Sequence, residues 1–514
     1  MDTSAHQHPS DFQSHDHPQP DYAVALDIGT TKVCAIVGRR NDLNQMEILG
    51  HARVAGDGVQ RGVVNNIHKT VAAIEEAIRR AERASGLPIR AANIGIAGQH
   101  IASRQNNSMI ARDDHTSEIT QADLDELMLT MRKLPLKPGE EILHIIPQDY
   151  SVDDEWGILE PIGMCGGHLA ANFHIITCQN AASRNIIRCA RQAELEVAGL
   201  TLEPIASAAS VLTEADKHDG VVLVDIGGGT TDITIFADGM ITHTCVIPFG
   251  GDVITSDIRQ VFRITLDDAE NLKTRYGNAL EAEAVPDRYY RMANRRGQDS
   301  TEIADADLAG VIEARVSEIL KYVNYQITTS GARDRLQGGI VLTGGGSLLL
   351  NIDRLTELHT GIPCRIGLPV EHLAQGYPEE LSSPIFATAI GLLIGGVDKA
   401  GGFAVHKYLR NGVSVGHVNA PAQASGFEPT HPSAAEATVG VAPAATATVT
   451  STGDAAQPTA TVAVAPVAVA AVAEGPADDL APEGKLAEKV QRSVTTVLDR
   501  VKEWFDGVED PDLD

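Results

Sequence analysis

The sequence is poor in aromatic residues and in positive charge. Phe, Trp and Tyr make up 4% of the 514 residues, and 41 Lys and Arg stand against 69 Asp and Glu, for a formal net charge of −28. A protein without a basic excess has little with which to offset the repulsion of nucleic-acid phosphates. The charge balance therefore argues against nucleic acid as a partner.

Signals for disulfides, for secretion and for membrane spans are also lacking. The six cysteines are scattered and form no CxxC pair, which favours reduced thiols in a cytoplasmic protein. Residues 1–20 contain four histidines but no apolar core, so they do not resemble a signal peptide. A disordered polar tail is expected there, with metal binding by a His-x-His pair as the alternative. No uncharged apolar run reaches the length of about 18 residues that suits a transmembrane helix.

Apolar strands alternate with amphipathic helical patterns along most of the chain. This alternation predicts an α/β architecture in which helices cover the sheets. The predicted parts are a first lobe at 21–98 and 173–215 with a closing helix at 380–400, an inserted subdomain at 99–172, a second lobe at 216–261 and 338–379, and a small subdomain of that lobe at 262–337.

Two copies of one strand–turn–strand motif carry the strongest functional signal. In the first copy an apolar strand ends in Asp27, and in the second an apolar strand ends in Asp225. Glycine lets backbone N–H groups turn towards an anion, and hydroxyl groups add further donors. Two such loops facing each other predict a site for the phosphates of ATP, with Lys32 as a counter-charge. The predicted phosphate-binding residues are Gly29, Thr30, Thr31 and Lys32 in the first copy and Gly227, Gly228, Gly229, Thr230, Thr231 and Asp232 in the second.

Asp27 and Asp225 are the predicted ligands of Mg²⁺, because this ion prefers oxygen ligands and keeps several of its waters. A third glycine run, Gly344, Gly345, Gly346 and Ser347, follows another apolar strand and suits contact with the adenosine or its α-phosphate. Glu270 and Lys273 lie on one face of a predicted helix. They are expected to contact the ribose or the base, with a surface ion pair as the alternative.

The order of these three loops resembles the ATPase superfamily that contains actin and the heat-shock chaperones. The resemblance implies two ribonuclease-H-like lobes with ATP and Mg²⁺ between them. Residues 203–208 look like the linking segment of that superfamily, whose acidic residue helps to orient the attacking water. Glu203 and Asp225 are therefore the candidate catalytic residues. For Glu203, charge complementarity at a helix N-terminus is the alternative.

Further segments narrow the resemblance to FtsA, a family of bacterial cell division proteins. It covers residues 21–396, and the segments that carry it are 144–150, 173–178, 246–257, 339–345 and 387–393. In this family the first lobe carries a differently placed subdomain, which the insertion at 99–172 fits. The resemblance implies an actin-like protein that polymerises on the inner membrane at the division septum and hydrolyses ATP slowly at most.

The resemblance also implies partners: FtsZ, further FtsA-like protomers and later division proteins. The FtsZ C-terminal tail is expected to dock on residues 262–337, where Arg291, Arg295, Arg296 and Arg315 are candidates for contact with its acidic groups.

The C-terminal part differs in composition from the rest of the chain. Residues 411–482 are rich in Ala, Pro, Thr, Val and Gly and are expected to form a flexible linker. Residues 484–506 recover a helical period and predict an amphipathic helix that binds an anionic membrane surface, with a coiled coil as the alternative. Its apolar stripe consists of Leu486, Val490, Val494, Val497, Leu498, Val501, Trp504 and Phe505.

Other members of the superfamily remain as alternatives. A sugar or acid kinase is one, although no clear catalytic Asp over a substrate pocket is apparent. A pilus-assembly protein of the same fold is another, and it would lack the C-terminal helix.

Overall fold

Both strand–turn–strand motifs lie at the centres of sheets in a computed structural model of the chain, which describes residues 22–293 and 300–401. The predicted tail at 1–20, linker at 411–482 and amphipathic helix at 484–506 lie outside the described residues, as do Arg295 and Arg296. Within the described ranges, no helix is both long and apolar enough to cross a membrane. All six cysteines are free thiols.

The first lobe begins with a three-stranded antiparallel meander followed by a helix and a parallel strand. Its elements are β1 (Ala23–Ile28), β2 (Lys32–Arg40), β3 (Met46–Ala55), the short β4 (Val59–Gln60) and β5 (Val63–Val64), α1 (Ile67–Ser85) and β6 (Ala91–Ile96). Helix α1 starts at the N-cap Asn66, whose side chain accepts a hydrogen bond from the Lys69 amide. It ends at Gly86 in the left-handed conformation.

The inserted subdomain is a four-stranded antiparallel sheet covered on one face by a helix. Its elements are β7 (Ile101–Ala111), α2 (Gln121–Met131), β8 (Glu140–Val152), β9 (Glu155–Ile158) and β10 (His168–Gln179), in the sheet order β7-β10-β8-β9. Residues 173–178 therefore belong to this sheet, and the predicted boundary at 172 is wrong. Strand β10 runs without a break from His168 and pairs along its whole length with β7.

The chain then returns to the first lobe and crosses to the second. The connecting elements are α3 (Asn180–Gln192), β11 (Glu196–Leu202), α4 (Glu203–Val211) and α5 (Glu214–Asp219). The second lobe starts with β12 (Val221–Ile226), β13 (Thr231–Ala237) and β14 (Met240–Ile247), followed by α6 (Gly251–Phe262), α7 (Leu266–Tyr276), the hairpin of β15 (Tyr289–Ala293) and β16 (Ser300–Ala304), and α8 (Asp305–Thr329). The described part closes with β17 (Ile340–Thr343), α9 (Ile352–Thr360), β18 (Cys364–Ile366) and α10 (Ala387–Gly401).

The two central sheets have the same topology. The first has the order β11-β6-β1-β2-β3 and the second the order β14-β13-β12-β17-β18. In each sheet the motif strand pairs antiparallel with the next strand and parallel with a strand further along the chain. Every residue of β1 and β12 is buried, as expected for central strands covered on both faces. The motifs therefore occupy equivalent positions in two related lobes.

In the described part of the predicted small subdomain at 262–337, buried apolar residues share a core with the second sheet. Residues of α7 and α8, such as Leu272 and Ile312, pack in one apolar cluster with β12 residues such as Val222 and Val224. This shared core, together with packing against α6, holds α7 in the second lobe.

Candidate functional site

The two glycine loops are equivalent turns at the ends of equivalent strands. The Gly29 amide donates to the Lys32 carbonyl at 2.9 Å, and the Gly227 amide donates to the Thr230 carbonyl at 2.9 Å. In each copy the turn therefore begins two residues after the Asp of the motif. The repeat seen in the sequence is therefore a repeat of backbone hydrogen bonding.

The loops approach each other so closely that side chains have no room between them. A Cβ on Gly228 would lie 2.5 Å from Thr31 Cγ2, and one on Gly229 would lie 2.5 Å from Thr30 Oγ1. Real Cβ atoms essentially never come this near to another heavy atom. The hydroxyl residues of the first lobe therefore face the glycines of the second lobe across a narrow cleft.

A strongly acidic cavity lies behind this contact. Its walls include Asp27, Glu203, Asp225 and Asp232. Among the described residues that line it, Lys32 is the only cation. Lys32 forms an ion pair with Asp27, which leaves three carboxyl groups without a cationic partner in the cavity wall.

This imbalance alters the acid–base properties of the site. Burial, together with the charges of Asp27 and Asp232, raises the pKa of Glu203 well above its ordinary value. Burial and the neighbouring Asp225 likewise raise the pKa of Asp232 well above its usual range. Burial alone would lower the pKa of Lys32, but the negative charges around it, Asp27 first among them, together raise it. The cavity would gain electrostatically from an added cation.

The donor set of this cavity fits a magnesium ion held through water. The Asp232 Oδ1 atom is buried and has no hydrogen-bond partner, which is unusual for a buried carboxylate oxygen. In the described residues, no three His, Cys, Asp or Glu side chains converge closely enough to bind a metal directly. Mg²⁺ keeps several of its waters in most protein sites, so separated carboxylates suit it.

A larger cavity of about 480 Å³ adjoins the acidic one, with which it shares Thr31, Lys32, Gly227, Gly228, Gly345 and Ile385. This volume is in the range of ligand pockets, about 300–1,000 Å³. Both Glu270 and Lys273 line it, and so does Gly346. The Lys273 ammonium contacts Glu270 Oε2 at 2.8 Å, Thr255 Oγ1 at 2.7 Å and the Gly251 carbonyl at 3.0 Å. The pair therefore forms the ion pair of the alternative interpretation and also lines the cavity, while its contact with the ribose or the base stays a prediction.

Several lining residues were not predicted from the sequence. Arg53 on β3, Asp252 at the start of α6 and Ile385 are among the further residues that line the larger cavity. Gly250 and Gly251, directly before Asp252, were the signal in the sequence that could have indicated a close approach of this segment to the second loop. A Cβ on Gly250 would lie 2.5 Å from the Gly227 carbonyl oxygen, and the Asp252 amide donates to the Gly228 carbonyl at 2.8 Å. The start of α6 thereby supports the second loop.

Two predicted contact residues, Thr231 and Ser347, line neither cavity, and their contact with the nucleotide stays a prediction. Thr231 is the first residue of β13, and its hydroxyl donates to the Phe249 carbonyl at 2.8 Å. Side chains alternate along a strand, so Thr231 points away from the side on which Asp232 lies. Ser347 lies in a short 3-10 turn and its hydroxyl donates back to the Gly344 carbonyl at 2.7 Å.

Arg291 and Arg315, the two candidates for FtsZ contact that lie in the described residues, differ in their exposure to solvent. Arg315 is buried and hydrogen-bonded to Asp257 at 2.5 Å, and it also contacts Glu318. It is a structural ion pair and is not available to a partner. Arg291 is exposed on the β15–β16 hairpin, where it pairs with Glu302 at 2.7 Å.

Comparison with known proteins agrees with this architecture. The sequence model of the family "Cell division protein FtsA" matches residues 222–391, and that of the "SHS2 domain inserted in FTSA" matches residues 98–177. The second match ends near the end of β10, in accordance with the corrected boundary of the insert. Among solved structures, the PilM–PilN type IV pilus biogenesis complex is similar with a TM-score of 0.54 and 17% identity, over 73% of this chain and 98% of that one. This likeness shows the fold alone.

Relatives of known function are much closer in sequence. Cell division protein FtsA of Pseudomonas aeruginosa is 39% identical over 376 residues, which are 73% of this chain and 89% of that protein. FtsA of Neisseria meningitidis is 38% identical over 386 residues, with 73% and 90% covered. FtsA of Escherichia coli K12 is 34% identical over 379 residues, with 72% and 89% covered. With its actin-like α/β fold and inserted SHS2 domain, the chain belongs to the FtsA family of bacterial cell division proteins.

Proposed function

We propose that this FtsA-family protein binds Mg²⁺ and ATP between its lobes and polymerises on the cytoplasmic face of the inner membrane. There it anchors FtsZ at the septum and recruits later division proteins. The observation that carries the nucleotide part is the pair of opposed turns, Gly29–Lys32 and Gly227–Thr230, around an acidic cavity. A larger cavity of ligand size opens beside it.

Each part of the cleft has a role in this proposal. Backbone amides of the two turns and the hydroxyl of Thr30 donate to the phosphates, and Lys32 leaves Asp27 to counter their charge. Asp27 and Asp225 hold Mg²⁺ through water, and the ion neutralises charge on the phosphate oxygens. The wall formed by Glu270, Lys273 and Gly346 receives the ribose and base.

Hydrolysis of the nucleotide is expected to be slow. Glu203 stands at the first position of α4 and is the candidate for orienting the attacking water. Burial and the nearby carboxylates raise its pKa well above the ordinary value, which favours its protonated form until a bound cation lowers the pKa. A protonated carboxyl group is a poor proton acceptor. We therefore infer that the nucleotide serves mainly to hold the two lobes together.

Nucleotide binding would favour polymerisation by shifting a conformational population. A ligand that contacts both lobes binds the closed state better than the open one, and so increases the closed fraction. Contacts between protomers that need the closed state then form more readily. This places ATP in the role of a regulator of assembly with further FtsA-like protomers.

The FtsZ tail is proposed to dock on the surface of residues 262–337, near the exposed β15–β16 hairpin. Arg291, which lies in the described residues, is the candidate for contact with acidic residues of the tail. It would exchange its exposed ion pair with Glu302 for an ion pair with the tail. Such exposed pairs contribute little, with a median of about 0–1 kcal/mol, so the exchange costs little.

Membrane attachment is assigned to residues 484–506. A flexible linker of about seventy residues has a typical span of about 45–50 Å, which allows the helix to reach a bilayer beside the core. Leu486, Val490, Val494, Val497, Leu498, Val501, Trp504 and Phe505 would insert, and nearby Lys and Arg residues would meet anionic headgroups.

Co-sedimentation with vesicles tests the membrane role. The full chain, a chain that ends at Gly475, and the variants Trp504→Glu and Trp156→Glu are mixed with phosphatidylglycerol-containing vesicles in the presence of ATP. Trp156 is the matched control because it is 70% exposed on the inserted subdomain. We expect truncation and Trp504→Glu to abolish sedimentation with vesicles, and Trp156→Glu to retain it. Unchanged binding by the truncated chain would refute the membrane role.

A further inference from the structure

The carboxylate of Asp225 is held by hydroxyl groups from two different helices. Ser207 on α4 donates to Asp225 Oδ2 at 2.6 Å, and Thr388 on α10 lies 3.3 Å from the same oxygen. The two hydroxyl oxygens are 3.0 Å apart. All three side chains are buried, so these hydrogen bonds do not compete with bulk water.

These contacts cross between the lobes. Asp225 is the last residue but one of strand β12 in the second sheet, whereas α10 packs on the first sheet, in one apolar cluster with β1 and β2 residues such as Ala25 and Ile36. Helix α4 lies between them, since its residues Ala208 and Ala209 share a core with both sheets. A carboxylate of one lobe is thus bonded to the helices that connect it to the other.

The helix pair α4–α10 is packed too tightly to slide without disturbing these bonds. A Cβ on Gly391 would lie 1.7 Å from the Ala206 carbonyl oxygen. Beside it, the Ser210 hydroxyl donates to the Ala387 carbonyl at 2.7 Å. A shift of one helix against the other during opening of the lobes would therefore move Ser207 and Thr388 relative to Asp225.

The two oxygens of Asp225 have different surroundings. Oδ2 accepts the hydroxyl bonds, whereas Oδ1 lies next to Gly344, where an added Cβ would be 2.2 Å away. Both Asp225 and Gly344 line the acidic cavity. Hydrogen bonds to an ionised acceptor are about twice as strong as neutral ones, so the hydroxyls hold the carboxylate in one rotamer.

We propose that Ser207 and Thr388 are positioning residues that couple closure of the lobes to Mg²⁺ binding at Asp225. In the closed state they orient the carboxylate towards the cavity, and in the open state they release it. By linkage, Mg²⁺ then stabilises the closed state to the same extent that closure strengthens Mg²⁺ binding. This inference rests on the proposed binding of Mg²⁺ and ATP in the cleft.

The test compares variants of the full chain that differ in the hydroxyls around Asp225. Ser207→Ala and Thr388→Val remove a hydroxyl, and Thr388→Ser keeps it. Ser210→Ala is the matched control, because it removes a buried hydroxyl from the same pair of helices without touching Asp225. Affinity for a fluorescent ATP analogue is measured across a Mg²⁺ titration and in EDTA.

We expect Ser207→Ala to need about tenfold more Mg²⁺ for half-maximal binding, the effect of losing a hydrogen bond to a charged group. Thr388→Val should show a smaller shift, since its bond to Asp225 is longer, and Thr388→Ser should restore the wild-type value. Affinity in EDTA should stay within about twofold of wild type in every variant. Ser210→Ala should leave the Mg²⁺ requirement unchanged.

Two results would overturn the inference in distinguishable ways. If the wild-type chain binds the analogue in a Mg²⁺-dependent manner, but Ser207→Ala and Thr388→Val need the same Mg²⁺ concentration for half-maximal binding as wild type, the positioning role is refuted and the proposed function stands. If the wild-type chain shows no Mg²⁺-dependent binding, the proposed function fails and the inference fails with it. If Ser207→Ala does not fold, the comparison of Thr388→Val with Thr388→Ser still decides the question.

Discussion

Substitution of Gly344 by alanine should destabilise the protein more than any ordinary glycine replacement. Gly344 has φ 79° and ψ 173°, a region that is essentially reserved for glycine and costs other residues about 1–3 kcal/mol. The added Cβ would also lie 2.2 Å from Asp225 Oδ1 and 2.6 Å from the Ile226 carbonyl oxygen. Forcing such an overlap in a packed region costs about 1–3 kcal/mol more. The expected loss of unfolding free energy is therefore about 2–6 kcal/mol.

Gly86→Ala is the control for backbone strain alone. Gly86 also has a positive φ, 70° with ψ 10°, but a Cβ there would meet nothing within 4 Å. Its replacement should cost about 1–2 kcal/mol, the usual cost of the left-handed conformation. Urea unfolding of the two variants and of wild type, followed by circular dichroism, measures the difference. Binding of a fluorescent ATP analogue should fall in Gly344→Ala and stay normal in Gly86→Ala. Equal destabilisation by the two substitutions would refute the steric argument.

Two further substitutions test the electrostatics of the cleft. In Asp232 the folded-state pKa is raised, so the folded protein binds more protons than the unfolded chain and loses stability as pH rises above the unfolded value of about 3.9. Asp232→Asn should remove that loss, so that the melting temperature of the nucleotide-free variant exceeds that of wild type by more at pH 8 than at pH 5, and it should also weaken Mg²⁺-dependent ATP binding. The control Asp238→Asn, at an exposed ion pair, should have neither effect. If the melting temperature of Asp232→Asn depended on pH as in wild type, the prediction would be contradicted. Lys273→Met should weaken binding of an ATP analogue about tenfold, or about 1.4 kcal/mol, whereas the control Lys321→Met, on the exposed side of α8, should not. Equal affinities of Lys273→Met and wild type in calorimetry would show that Lys273 does not contact the nucleotide.

Local chemistry was sufficient to predict much of the fold. The strands of the two motifs are short apolar runs that end in Asp and a glycine turn, and the structure places them at Ala23–Ile28 and Val221–Ile226. Helix α6, Gly251–Phe262, coincides with a helical spacing of apolar residues in the sequence. These features depend on side-chain period and turn residues a few positions apart, which is information that a sequence carries directly.

The boundary of the inserted subdomain needed tertiary pairing. Residues 173–178 form an apolar run that reads equally well as a strand of the first lobe. Only pairing with β7 and β8 assigns it to the insert. The partner residues lie up to 77 positions away in the chain, as in Cys178 opposite Ile101, and no local pattern specifies that choice.

The sequence by itself determined the kind of site: two Asp-plus-glycine loops, a third glycine loop, and the Glu270–Lys273 pair. The tertiary structure decided which side chains face the cleft. It turned Thr231 and Ser347 away from the cleft, through bonds to the Phe249 and Gly344 carbonyls. It also brought Ser207 and Thr388, 181 positions apart, onto one oxygen of Asp225. Side-chain direction and long-range contact both follow from how the lobes pack, and packing is a property of the whole fold.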